Sequence, residues 1–207
     1  MTNKINLIFD LDDTLVQTPE YNFINGKSNN LNMPNIVDIG IINSEGMVTI
    51  TYLRPYLKDL LKYCYENYTV SFWTSGNYFY CIEVLKIILT SDQYDRTKLI
   101  LSKYNHSNIL ECKNNVTFTN DNLEILNCKP MDIIFNNFEN LGFKRNNTIL
   151  IDDNIFVCNY NKQNTINIVK FNRFNYKDTS LLQLLEWLKK GEYNIKLDFK
   201  DDGYVNL

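Results

Sequence analysis

The stretch Ile5-Asn6-Leu7-Ile8-Phe9-Asp10-Leu11-Asp12-Asp13-Thr14-Leu15-Val16 decides how the rest of the chain is read. A short apolar run stops abruptly in a cluster of acids. A buried parallel strand delivers carboxylates in this way, at the carboxyl end where open α/β sheets bind their ligands. A second stretch repeats the pattern: residues 147–151 are apolar and run into Asp152-Asp153-Asn154. Between the two, residues 69–73 are β-branched and aromatic, and they end in Thr74-Ser75-Gly76.

Outward from these strands, helical and strand patterns alternate. Residues 36–42 and 47–53 are strand-like and flank Asn43-Ser44-Glu45-Gly46, which predicts a hairpin. Arg54-Pro55 predicts a helix start with Pro at the first helical position, followed by Leu57, Leu60, Leu61 and Cys64 on one face. Further helices are expected over 78–89 and 131–138. The last runs from Asp178 or Thr179 to about Lys189, with Leu181, Leu182, Leu185 and Leu188 inward and Gly191 as its stop. Strands are expected at 98–101 and 165–169. Residues 105–127 are polar and Asn-rich, with a hairpin expected around 116–118. The pattern is that of an α/β fold with a mostly parallel sheet, and the chain reads as one domain over 1–207.

Composition excludes several classes. Hydrophobic residues make up 44% of the 207 residues and charged residues 22%, which is too apolar for wholesale disorder. The net charge of −3 offers no basic field for nucleic-acid phosphates, so direct nucleic-acid binding is not expected. No window reaches the ~18 apolar residues of a membrane span, and residues 1–9 are too short and polar for a signal peptide. A cytoplasmic or nuclear protein is expected. The five Cys are scattered with no C-x-x-C spacing, so reduced structural thiols are expected. The chain has 32 Asn and no Ala, a bias that follows AT-rich codons, as in a large DNA virus or an AT-rich microbe.

The acids carry the chemistry. Asp10 and Asp12 share a face if the strand continues; a turn after Phe9 would instead gather both around one ion. Carboxylates converging from two strands repel one another and call for a cation. Mg²⁺ suits an oxygen-ligand site of this kind. With Thr74 and Lys129 nearby, the set suits phosphoryl transfer: Asp10 as nucleophile, Asp12 as proton donor, and Mg²⁺ with Lys129 as positive charge. Asp13 reads as an exposed acid, and His106 as a loop residue. Trp73 and the Tyr78, Phe79 and Tyr80 cluster read as core, with a recognition wall beside the site as the alternative.

At these residues the chain resembles the haloacid dehalogenase (HAD) superfamily, and more narrowly the FCP/SCP-type C-terminal-domain phosphatases, also called NLI-interacting-factor-like. The resemblance rests on Asp10-Leu11-Asp12-Asp13-Thr14-Leu15-Val16, the hairpin that follows, Leu53-Arg54-Pro55-Tyr56-Leu57, Phe72-Trp73-Thr74-Ser75, Ile151-Asp152-Asp153 with Asn164 eleven residues on, and the Asp178 to Leu182 tail. It implies a Rossmann-like, mostly parallel sheet flanked by helices, with a small hairpin insertion at about 36–53 and no large cap. It implies Asp10 as nucleophile, Asp12 as general acid and base, Thr74 as phosphoryl ligand and Lys129 as its support, with Lys113 as the fallback lysine. Thr14, Ser75 and Arg54 would line the substrate, although Arg54 also fits a structural ion pair. Mg²⁺ would be held by Asp10, the backbone carbonyl of Asp12, Asp152 and Asp153. The last motif departs from the cellular Asp-Asn pattern, and the segment at 91–127 has no counterpart in it.

The implied activity is Mg²⁺-dependent hydrolysis of phosphoserine or phosphothreonine in a protein, such as RNA polymerase C-terminal repeats. A HAD phosphatase of a small metabolite, nucleotide or nucleic-acid end is the first alternative. A non-catalytic interaction module is the second.

Overall fold

In the computed structural model, residues 4–19, 39–44, 47–103, 109–112, 117–119, 128–175, 177–191 and 205–206 are described. The central strand is β1 (Asn6–Phe9). On one side of it lie β5 (Thr69–Asn77) and β6 (Ile100–Lys103), and on the other β9 (Thr148–Asp152), β10 (Thr165–Asn167) and β11 (Val205–Asn206), all parallel. Two antiparallel strands, β7 (Ile109–Cys112) and β8 (Thr117–Thr119), extend the β6 edge and make the sheet eight-stranded. A second sheet of three strands pairs β4 (Met47–Leu53) with β2 (Val16–Gln17) and β3 (Ile39–Ser44).

Strand alternation sorts the core onto two faces. Leu7, Phe9, Phe72, Ile149 and Ile151 face one layer, built with α1 (Leu57–Asn67), α2 (Tyr78–Ile88) and α6 (Ser180–Lys190). Ile8, Trp73, Leu101 and Leu150 face the other, built with α4 (Met131–Asn137) and α5 (Ile155–Tyr160). A short α3 (Ser91–Arg96) carries a capping box from Thr90 and Gln93. Because both faces are covered, β1 and β9 are apolar at every position from Leu7 to Phe9 and from Ile149 to Ile151.

Local departures from the sequence reading have local causes. Tyr56 adopts φ 66°, so α1 starts at Leu57 and Pro55 stands outside it. Asn43 and Ser44, expected in the hairpin turn, instead pair with Val48 and Met47 as part of the strands, and residues 45–46 lie outside the described residues. In α6, Leu184 is buried where Leu182 is only half-buried. Gly191 stops that helix at φ 71°, a left-handed conformation that glycine adopts at little cost. The segment at 91–127 supplies α3, β6, β7 and β8; most of 105–127 lies outside the described residues, His106 and Lys113 among them.

Candidate active site

Parallel register sets the level of the site. Phe9 pairs with Phe72 on one side and Ile151 on the other, so Asp10, Thr74 and Asp152 all emerge near one edge. From β1 the chain goes to β5 and β6 on one side and later to β9 and β10 on the other. The edge is therefore a topological switch point, where such sheets open a crevice.

Lys129 stands at the centre. Its Nζ donates to Asp10 Oδ1 at 2.5 Å and to Asp152 Oδ2 at 2.7 Å, with all three side chains buried. Asp10 Oδ2 has no hydrogen-bond donor among the described residues. Lys129 takes φ 46° just before Pro130, an uncommon conformation for a residue with a Cβ. Asn161 holds it there. The Asn161 Nδ2 donates to the carbonyls of Cys128 and Lys129 at 3.0 and 3.2 Å, and its Oδ1 accepts from Met131 N at 2.9 Å.

Asp12 has different partners. Thr74 Oγ1 donates to its Oδ2 at 3.1 Å, and the Tyr80 hydroxyl donates to its Oδ1. Asp153 is bound to Thr14 in both directions: Thr14 Oγ1 donates to Asp153 Oδ1 at 3.1 Å and accepts from Asp153 N at 3.0 Å. Asn167 Nδ2 supports the strand end from behind, donating to the Asp153 carbonyl at 3.1 Å.

The electrostatics are those of a crowded, dry anionic site. Burial pushes Asp10 well above the usual carboxylate range against the pull of Lys129, and the charges of Asp152 and Asp12 push it further. Burial also raises Asp12, with the bonds from Tyr80 and Thr74 opposing it. Burial alone would lower Lys129, but Asp10 and Asp152 outweigh it and raise the lysine, so the ammonium stays charged. Asp153 is pushed up to about 6 by burial and by the charge of Asp152. Asp10, Asp152 and Asp153 each offer an oxygen, and the three lie within 4.8 Å of one another. This cluster of hard oxygen donors fits a divalent cation.

The structure brings Asp10, Asp12, Thr74, Lys129, Asp152 and Asp153 together. Other expected contacts lie elsewhere. The Thr14 hydroxyl is committed to Asp153 and fully buried, so it does not face a substrate. Arg54 is also buried: it donates to Asp178 Oδ2 at 3.2 Å, to the Thr14 carbonyl at 2.8 Å and to the Val169 carbonyl at 2.6 Å, and stacks on Phe171. This is the structural ion pair and not a substrate contact. Ser75 is exposed beside Thr74. Trp73 is core, Phe79 is exposed, and Tyr80 joins the site directly. The reading from sequence took Tyr80 as core or as a wall beside the site, not as a partner of Asp12, and it missed Asn161. Tyr80 carries a signal, since the first turn of a helix after a strand end points side chains back toward that end; Asn161 carries none.

A family model of NLI interacting factor-like phosphatases matches residues 5–198. The chain belongs to that family. Among curated relatives, the Ubiquitin-like domain-containing CTD phosphatase 1 of Homo sapiens is 25% identical over 144 residues, covering 68% of this chain and 42% of that protein. Its Xenopus tropicalis counterpart is 26% identical over 141 residues, covering 67% and 42%. The chain thus spans less than half the length of these relatives. A structure of Fcp1, described as an essential RNA polymerase II CTD phosphatase, superposes with a TM-score of 0.53 at 20% identity, covering 97% of this chain and 55% of that one. Fission yeast Fcp1 bound to beryllium fluoride gives 0.51 at 20% identity, covering 94% and 54%. These likenesses establish the HAD-like α/β fold for this NLI interacting factor-like chain. No helix among the described residues is long and apolar enough to cross a membrane.

Proposed function

We propose that this chain is a phosphomonoesterase that uses Asp10 as nucleophile and acts on phosphoserine or phosphothreonine in a protein. The observation that carries this is the Lys129 ammonium bridging Asp10 and Asp152 at the switch-point edge, beside an Asp12 that bonds hydroxyls and no lysine. The two carboxylates of the first strand end thus have separate environments, which is how one site divides nucleophile from acid.

In this reading Asp10 attacks phosphorus through a carboxylate oxygen, and the P–O bond to the leaving alcohol breaks. Asp12 gives its proton to that alcohol. Water then attacks the aspartyl phosphate, Asp12 takes a proton from the water, and Asp10 and inorganic phosphate are released. Lys129 holds a phosphoryl oxygen in line with its remaining proton, and Thr74, expected as a second phosphoryl ligand, stands beside it with its own proton given to Asp12. Asp10, Asp153, the Asp12 carbonyl and Asp152 form the set that would hold Mg²⁺. When bound, the ion neutralises charge building on the phosphoryl oxygens. Asp152, taken up by Lys129 and by Asn154 N, acts mainly through the lysine.

The protein-substrate assignment draws on the relatives, which are named for activity on a CTD, that of RNA polymerase II in the case of Fcp1. The test compares kcat/KM on phosphoserine and phosphothreonine peptides, including C-terminal-repeat sequences, with that on sugar phosphates and nucleotides. A peptide preference of about 10-fold or more is expected, about 1.4 kcal/mol in transition-state binding. A metabolite preferred by the same margin would replace the proposed substrate class. No turnover of any phosphomonoester would remove the enzyme.

A further inference from the structure

We infer that Tyr80 is a positioning residue for Asp12, and that a hydroxyl chain from the three-stranded sheet fixes it in that role. The inference rests on the proposed part of Asp12 as acid and base.

Several contacts converge on this tyrosine. Its backbone N–H donates to Asn77 Oδ1 at 2.9 Å, which seats it in the first turn of α2. Its ring then lies directly over Gly76. A Cβ at Gly76 would fall 2.9 Å from Tyr80 Cδ1 and 3.3 Å from Cε1, so only glycine leaves room for the ring there. The Gly76 N–H also donates to Thr74 Oγ1 at 2.9 Å, the hydroxyl that holds the other oxygen of Asp12. Each Asp12 oxygen therefore has one hydroxyl donor, and Gly76 touches both donors.

Behind the ring the chain continues. The Tyr80 hydroxyl lies 2.8 Å from Thr18 Oγ1, and Thr18 Oγ1 lies 2.8 Å from Thr51 Oγ1, on a fully buried residue of β4. A phenol has one proton. Thr18 Oγ1 gives its own proton to Thr51 Oγ1, so it meets the phenol as an acceptor, and the one phenolic proton lies between Asp12 Oδ1 and Thr18 Oγ1. The hydroxyls thus link Asp12 through the phenol and Thr18 to β4, and the small sheet is mechanically tied to the acid. Two donors at fixed angles hold the Asp12 carboxyl in one plane, and proton delivery depends on that orientation.

The step that needs a well-placed acid is departure of a poor leaving group. Leaving-group dependence of kcat/KM is therefore the readout, measured at one pH on a series of phosphate monoesters from p-nitrophenyl through phenyl to an alkyl ester. A good leaving group needs little protonation; an alkoxide needs it fully. Tyr80→Phe keeps the ring and removes only the hydroxyl. It should cost a few-fold on p-nitrophenyl phosphate and about 10-fold more than that on the alkyl ester, the scale of one hydrogen bond to a charged group. Gly76→Ala, whose Cβ would meet both the Tyr80 ring and Thr74 Oγ1, disturbs both donors and should steepen the series at least as much, and the double variant should be no steeper than Gly76→Ala alone. Thr18→Val tests the chain behind the ring and should steepen the series by a smaller factor, and it stands in should Tyr80→Phe fail to fold.

Asp12→Asn is the reference. If Asp12→Asn steepens the series and Tyr80→Phe lowers every substrate equally, Tyr80 is a packing residue and the inference is overturned. If Asp12→Asn itself leaves the slope unchanged, Asp12 is not the acid and the inference falls with that reading. A Tyr80→Phe enzyme with wild-type kcat/KM throughout would show the ring alone to matter, as a wall of the site, and would also overturn it.

Discussion

Asp178→Asn isolates the charge that holds Arg54. The replaced carboxylate pairs with a guanidinium at 3.0 Å, with the two side chains 3% and 0% exposed. The amide is nearly isosteric, and its oxygen still accepts from Ser180 N, as Asp178 Oδ1 does at 2.8 Å, so the start of α6 keeps its support. What is lost is the ion pair and, because the amide Nδ2 then faces the guanidinium, the hydrogen bond that Asp178 Oδ2 accepts from Arg54. Two unit charges at that separation attract by about 5 kcal/mol at an effective dielectric of ~20. Arg54 keeps its bonds to the carbonyls of Thr14 and Val169 and its stacking on Phe171, which take back part of the loss. The expected cost is about 3 kcal/mol, the lower end for breaking a buried pair from one side. For a chain of this size that corresponds to a fall in Tm of roughly 6–12 °C. Urea unfolding followed by circular dichroism should show the midpoint falling with an unchanged m-value. Because the Lys129 bridge is untouched, the folded fraction should keep its activity within about 10-fold. A fall in Tm of less than about 2 °C would show that Arg54 does not depend on Asp178, and the ion-pair account of this joint would be wrong.

Asp10→Asn should lower turnover by at least ~10³-fold while the fold survives, since an amide does not attack phosphorus; activity within tenfold of wild type would remove Asp10 as nucleophile. Excess chelator should stop turnover and Mg²⁺ should restore it. Saturating Mg²⁺ should also raise Tm, by about 2.7 kcal/mol of stabilisation at a hundred times Kd, and Asp153→Asn should abolish most of that rise. Full activity in chelator, or an unchanged Tm, would contradict the site. Asn161→Ala frees the Lys129 loop and leaves the Met131 N–H unpaired; it should cost about 1–3 kcal/mol in unfolding free energy and lower kcat more than KM changes, and an unaltered kcat would show that Lys129 holds its position unaided.

The order of strands was legible because apolar runs ending in acids or hydroxyls are a strong pattern. Asp10, Asp12, Thr74, Asp152 and Asp153 could be named from it, Lys129 came from the family resemblance with Lys113 as the fallback, and the structure brings all six to one edge. What each touches was less legible. A hydroxyl at Thr14 can face a ligand or a neighbouring strand, and only the fold shows it spent on Asp153. A positive charge at Arg54 suggests an anion partner, but burial decided that the partner is Asp178. Tyr80 looked like core or wall because an aromatic residue contributes area in either place. Its role depends on the absence of a side chain at Gly76, a three-dimensional fact that no spacing encodes. Asn161 was invisible among 32 asparagines.

The doubled acid Asp152-Asp153 now has a physical reading. Neighbours on a strand end point to opposite sides. Asp152 turns to Lys129 and Asp153 turns to Thr14, yet each still offers an oxygen to the cluster with Asp10. Together with Asp10 they bring three negative charges against the single positive charge of Lys129. The balance of two negative charges is what one divalent ion cancels. Burial, with the charge of Asp152 added to it, raises Asp10 and Asp153. Asp12 stands outside this count. Its carboxylate is bound by the neutral hydroxyls of Thr74 and Tyr80, although its charge still reaches Asp10. The proposed division of roles, attack by Asp10 and proton transfer by Asp12, would be served by this arrangement, with Lys129 and carboxylates around the first and hydroxyls around the second.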